Sequence, residues 1–228
     1  MTTRMVLVPG YWLGAWAWDD VLPHLPEGID AVPVTLPGQA PEREPDVTLA
    51  QQAAAIEAAL DVPADWRVLV VHSGSTNPGT MLLDRRPDLV DRMVFVDTAP
   101  PKPGLANNPD ATGDATLEQM LADTQEAGAF AGLTEEQLAT FEERAVPQPR
   151  SVVIEPVDLH DDARHRVPVT VVCCSYTSAE FQEFADRGIP FIAALNDYDD
   201  VTYVDLRTGH WPMWSRPQDL ADVLAELA

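Results

Sequence analysis

Short runs rich in apolar and β-branched residues recur along the chain at 5–8, 31–34, 68–71, 93–96, 167–174 and 201–206. Most lack the strict alternation of a strand with one wet face, which is the pattern of strands covered on both sides in a parallel sheet. Between them the apolar positions take helical spacing, at 17–25, 49–60, 78–85 and 178–187 as crossovers and at 217–227 as a closing helix. Asp46 to Thr48 supply capping side chains ahead of 49–60, and Pro217 stands where a helix start tolerates proline. This alternation predicts an α/β fold, a doubly wound and mostly parallel sheet of about six strands.

Residues 100–166 break the rhythm. They open with the turn-rich PPKPGLANNPDATGD, carry helical patterns at 117–127 and 135–144, and run on through the proline-flanked VPQPR. Placed after a strand end, such a segment reads as a small helical lid over the carboxyl edge of the sheet, where open α/β sheets bind their ligands. The expected organisation is one domain, 1–228, with 100–166 as a lid insertion.

Composition narrows the partners. At 46% hydrophobic and 22% charged residues the chain has enough apolar material for a full core, and overall disorder is excluded. The formal net charge is −23 and no Lys/Arg cluster interrupts it, so nucleic acid and anionic membrane surfaces are poor partners. No run approaches the ~18 apolar residues of a membrane span, and the first apolar run is too short for a signal-peptide core. Cys173 and Cys174 are adjacent, and neighbours on a strand point to opposite faces, so they build no disulfide framework. A cytoplasmic monomer or homodimer acting on a small molecule is expected.

Three loops carry chemistry. In VHSGS, Ser73 follows an apolar run and precedes a helical pattern, the place where a sharp strand-to-helix turn pushes a serine into an exposed, strained position. Val71 stands where a small residue is expected, which leaves an ordinary helix-capping serine as the alternative. In TGHWP, His210 lies on the loop after the last strand, within reach of a serine at the sheet centre. In PGYWLGAW the loop leaving the first strand can aim the Tyr11 N–H, together with the Gly74 N–H, at an oxyanion, each typically worth ~3 kcal/mol in acyl transfer. Trp12, Trp211 and Phe130 are expected to line an apolar pocket. His160 and His165 are five apart and share no helical face, so no metal site is expected, and acyl transfer by a serine and a histidine calls for no cofactor.

The loop PGYWLGAW, the elbow VHSGS, the strand end VFVDTAPP and the terminal TGHWPMWSRP follow one another in an order that resembles the α/β-hydrolase superfamily, specifically its small single-domain esterase and hydroxynitrile-lyase-like branch. The resemblance runs from Arg4 to Ala228 and implies Ser73 as nucleophile and His210 as its base. Many members carry the acid after the penultimate strand, but CSYTS has no carboxylate there. A haloalkane-dehalogenase subgroup places it at the end of the strand after the nucleophile, which implies Asp97, with Asp197, Asp199 and Asp200 as substitutes. Pro9 replaces the histidine that usually precedes the loop glycine, so the loop needs another brace. The activity implied is cleavage of a small, largely apolar ester, thioester or lactone through an acyl-enzyme on Ser73. Lyase or cyclase chemistry without an acyl-enzyme, and ligand binding without turnover, are the alternatives. The single lysine, Lys102, weighs against cyanohydrin cleavage.

Overall fold

In the computed structural model, which describes residues 2–42, 44, 46–123 and 127–228, six strands form one sheet: β1 (Thr3–Val8), β2 (Ile29–Pro33), β3 (Trp66–His72), β4 (Arg92–Val96), β5 (Val169–Cys173) and β6 (Val201–Asp205). Every pairing is parallel and the order is β2-β1-β3-β4-β5-β6. Each strand lies on one of the apolar runs. β5 starts after Pro168, which has no N–H to give to the ladder. The helices are α1 (Leu49–Leu60), α2 (Thr76–Arg85), α3 (Leu117–Ala122), α4 (Glu135–Arg144), α5 (Arg150–Ile154), α6 (Ser178–Asp186), α7 (Pro212–Ser215) and α8 (Pro217–Ala225). α1 is closed at its start by a capping box between Thr48 and Gln51.

Two helical expectations need correction. Residues 17–25 hold no α-helix; they form the 3-10 turns Ala15–Trp18 and Leu22–His24. Pro23 lies inside that stretch and cannot donate to a helical ladder, while Trp18 is wholly buried and fixes the chain from the other side. The pattern at 117–127 gives a helix only to Ala122; 124–126 lie outside the described residues, and Ala127–Phe130 is a 3-10 turn.

Alternate residues of each strand serve two cores. Val6, Val8, Leu69, Val71, Met93 and Phe95 face α1, α2 and α6, whereas Met5, Leu7, Val68, Val70, Val94 and Val96 face α8, Trp18 and Trp214. Cys173 enters the first core and Cys174 the second, and both are free thiols. A fully buried Val or Leu contributes roughly 1.5–3 kcal/mol, which explains why runs without polar gaps are needed at the sheet centre.

β1 pairs with β2 on one side and β3 on the other, so the connections diverge there and open a crevice at the carboxyl ends of β1 and β3. Residues between β4 and β5 pack over this edge. Val146 N–H donates to Trp12 O (2.9 Å), the Trp12 indole N–H to Ala115 O (2.9 Å), and His210 N–H to Ala129 O (2.7 Å). The return to β5 is anchored by the buried Arg164, whose guanidinium meets Asp84 of α2 at 2.9 Å. Among the described residues no helix is long and apolar enough to cross a membrane.

Candidate active site

Three non-glycine residues have left-handed backbone among those described: Trp12 (φ 69°), Ser73 (φ 51°) and Asp97 (φ 49°). They stand just beyond β1, β3 and β4, three adjacent strands, so all three converge on the crevice. Each such conformation costs of order 1–3 kcal/mol and persists where the surroundings over-determine it, a pattern concentrated at functional sites.

Ser73 is the first residue after β3 and opens a 3-10 turn into α2. The turn is tight because small groups surround it. A side-chain carbon on Gly10 would fall 2.8 Å from Ser73 Cβ, and one on Gly74 would fall 2.5 Å from the Tyr11 ring. Val71 is accommodated from the opposite element. Its Cγ1 lies 2.6 Å from where Gly79 of α2 would carry a Cβ, so the space expected at 71 has moved to 79. Ser75 is buried and donates its hydroxyl to His72 O (2.8 Å), tying the turn to the strand.

His210 reaches back from the loop after β6. Ser73 Oγ–H faces His210 Nε2 at 2.8 Å, and His210 Nδ1–H faces Asp97 Oδ2 at 2.6 Å. Asp97 is 8% exposed, and its Oδ1 accepts the N–H groups of Cys174 (3.0 Å) and Ser175 (2.9 Å). Ser175 Oγ–H donates to Oδ2 at 2.6 Å. Burial alone would raise this carboxyl, but the His210 hydrogen bond and charge, with the Ser175 contacts, outweigh it and bring it down to about 2. It is therefore an anion, and it orients the imidazole so that Nε2 carries the lone pair facing Ser73.

Further side chains hold these groups, and no local pattern marks them. His72, fully buried, donates Nε2–H to His210 O at 2.7 Å and keeps the two rings 4.8 Å apart. Burial, then the nearby His210, pushes His72 down to about 3, so it stays neutral. Gln39 donates Nε2–H to Gly10 O (3.0 Å) and to Gln148 Oε1 (3.3 Å); this is the brace that replaces the missing histidine at Pro9. Gly209 is obligatory for another reason: a side chain there would strike the Ala129 and Ala131 carbonyls on which the His210 loop rests. Ser175 occupies the position after β5 where many members of the superfamily carry the acid, and that position is its one local signal.

Ser73, Gly74, Tyr11, Asn77 and His210 line a cavity of about 280 Å³. A second, of about 570 Å³, shares His210, Asp97 and Phe191 with it and extends to Met120, Tyr176 and Arg207. Trp12, Trp211 and Phe130 line neither. Trp211 is 1% exposed and lies against Phe130 (4.7 Å between centroids) and Phe141 (5.2 Å), while Trp12 spends its indole on Ala115 O. These rings fasten residues 100–166 to the sheet. The substitute acids are placed elsewhere: Asp197 pairs with Lys102, and Asp199 and Asp200 precede β6, at the opposite edge of the sheet from His210. Burial pushes the Cys173 thiol up to about 12 and the Cys174 thiol higher still, which removes both as thiolate nucleophiles.

The chain matches no curated protein sequence. Its fold is similar to that of a variant of tomato methylketone synthase I complexed with β-ketoheptanoate, with a TM-score of 0.74 and 16% identity over 100% of this chain and 97% of that one. A methylesterase from Arabidopsis superposes with a TM-score of 0.72 at 16% identity, covering 99% of this chain and 98% of the other. A pyrethroid hydrolase from Sphingobium faniae gives 0.69 at 16% identity, covering 100% and 97%. The sequence itself matches the alpha/beta hydrolase family over residues 5–223. That match spans nearly the whole parallel sheet, from β1 through β6 to α8, with the serine turn after β3 and the histidine after the last strand inside it, and the chain belongs to the alpha/beta hydrolase family.

Proposed function

We propose that this protein is a serine hydrolase of small carboxylic esters, thioesters or lactones. The observation that carries the reading is the unbroken relay from Ser73 Oγ to His210 Nε2 (2.8 Å) and from His210 Nδ1 to Asp97 Oδ2 (2.6 Å), with Ser73 held at positive φ. Structural neighbours that include a methylesterase and a pyrethroid hydrolase agree with ester chemistry on this fold.

Ser73 Oγ attacks the carbonyl carbon while His210 Nε2 takes its proton, and the imidazolium is stabilised by Asp97. The Tyr11 and Gly74 N–H groups hold the oxyanion. As the intermediate collapses, His210 returns the proton to the leaving alcohol. Water, deprotonated by His210, then attacks the acyl-enzyme and releases the acid. Residues 100–166 act as a lid: Met120 borders the larger cavity, and the backbone bond from His210 to Ala129 couples lid and catalytic loop. No cofactor enters this chemistry.

Intact-mass spectrometry after treatment with a fluorophosphonate tests the reading. Wild type is expected to take up one equivalent, and Ser73→Ala and His210→Ala none. A folded wild type that stays unlabelled overturns the proposal and leaves ligand binding, or lyase chemistry without an acyl-enzyme, in its place.

A further inference from the structure

The larger cavity beside His210 carries a cation that the relay does not use. Its walls are mostly apolar, with Met120, Phe181, Phe191 and Ile192 among them, and Arg207 is the one arginine or lysine of the described residues that lines it. Arg207 stands on the loop between β6 and His210 and is exposed, which puts it at the open side of the cavity. The carboxylate on the same wall, Asp97, is buried at the inner side. The Arg207 guanidinium holds neither a hydrogen bond nor an ion pair among the described residues; only its backbone carbonyl is engaged, by Arg216. Elsewhere Arg4, Arg86, Lys102, Arg164, Arg187 and Arg216 each hold a carboxylate. The acid two residues before Arg207, Asp205, is taken by Ser178, whose N–H and Oγ–H it accepts at 2.7 and 2.8 Å. Tyr176, on the same cavity and 48% exposed, is a second free donor: its ring meets Phe184 edge-on (5.2 Å between centroids), and its hydroxyl has no partner among the described residues.

In a chain with 37 acidic and 14 basic residues an arginine has no shortage of carboxylates to pair with, yet this one is left open beside the catalytic histidine. A guanidinium presents a planar fork of donors that matches a carboxylate with two parallel hydrogen bonds. The net charge of −23 repels anions at long range, so the attraction is confined to the surroundings of Arg207. Resting on the ester-hydrolase reading above, we infer that Arg207 is a specificity-determining residue and that the substrate is an ester with an apolar body ending in a carboxylate. Asp97 repels a second carboxylate from the inner side of the cavity, so the charged end lies at the open side, remote from the carbonyl that Ser73 attacks. His210 borders both cavities, and the carboxylate can therefore belong to either half of the ester.

Two matched pairs of esters test this. In the first the charge is on the acyl half: the mono-p-nitrophenyl esters of adipic and suberic acid, each against its terminal amide. In the second it is on the alcohol half: the hexanoate ester of 3-(4-hydroxyphenyl)propanoic acid against that of the propanamide. The quantity read is the ratio of kcat/KM for the carboxylate to kcat/KM for its amide, corrected for spontaneous hydrolysis, so that a general loss of activity in a variant cancels. In at least one pair Arg207→Gln is expected to lower the ratio about fivefold. Arg207→Glu should lower it further, and Arg207→Lys, which keeps the charge, should restore most of it. Arg85→Gln removes the same charge from the far end of α2 and should leave the ratio where it is. Turnover with ratios that neither Arg207→Gln nor Arg207→Glu moves, or that Arg85→Gln moves equally, overturns the role of Arg207 and leaves the hydrolase reading standing. A folded wild type with no turnover of any ester and no fluorophosphonate labelling overturns the hydrolase reading, and this inference with it.

Discussion

Replacing Asp97 by asparagine isolates the carboxylate charge, because asparagine has the same shape and tolerates the φ of 49° held there. Four donors converge on the two carboxylate oxygens: two backbone N–H groups on Oδ1, and Ser175 Oγ–H and His210 Nδ1–H on Oδ2. An amide has one oxygen. With that oxygen kept on the backbone N–H pair, its NH₂ faces His210 and donates to Nδ1, which moves the imidazole proton to Nε2 and leaves Ser73 without a base. Turnover should fall by about 10⁴, or about 5 kcal/mol of barrier, while ground-state binding changes little. Stability should fall as well. The carboxyl sits at about 2 against an ordinary 3.8, a preference for the charged form of about 2 kcal/mol. For a chain of this size that corresponds to a Tm lower by about 4–8 °C. The sign follows from the lowered folded value: the contribution is complete above about pH 4 and is lost as the pH falls through about 2. The Tm gap between wild type and Asp97→Asn should therefore close on acidification across that window. Initial-rate kinetics and thermal melts from neutral pH to about pH 2.5 decide the matter. A variant retaining more than about a tenth of wild-type turnover, or a gap constant with pH, would refute the reasoning.

Two further substitutions probe how the site is held. Gly79→Ala should destabilise by about 1–3 kcal/mol through its clash with Val71 Cγ1, against the usual gain of about 0.5–1 kcal/mol for this change inside a helix. Urea melts should show the loss relieved in the Val71→Ala, Gly79→Ala double variant, and a stabilised single variant would contradict the packing described. His72→Phe removes the donor to His210 O, so kcat should fall with KM nearly unchanged, while His72→Gln, which retains an N–H, should recover part of it. Equal losses in both variants, tracking stability alone, would mean that His72 does not position the catalytic loop.

Much of this architecture was legible in one dimension. Polar gaps are costly in strands buried on both faces, so β3 and β4 had to be written as near-continuous apolar runs, VLVV and MVFV, and were visible as such. The three relay residues were visible too, because each stands at the end of such a run or on the loop after one, and a strand end is marked by the change in residue type. The 3-10 turns at 15–24 were not visible, since apolar spacing reads the same in a short 3-10 turn and in a helix until Pro23 and the buried Trp18 are placed in the core.

What holds the relay was settled by the tertiary structure alone. Gln39 meets Gly10 O and Gln148, His72 meets His210 O, and Ser175 meets Asp97 across separations of 29 to 138 residues, and no local pattern encodes a partner so far away. The same holds for the aromatic residues beside the Tyr11 and His210 loops. A tryptophan next to a histidine can line a pocket or nail down a neighbouring segment, and only the packing of Trp211 between Phe130 and Phe141 decides which. Local sequence determines where a strand ends and which reactive group it presents. Which groups complete, brace and bound the site depends on contacts that exist only after the sheet has brought its carboxyl ends together.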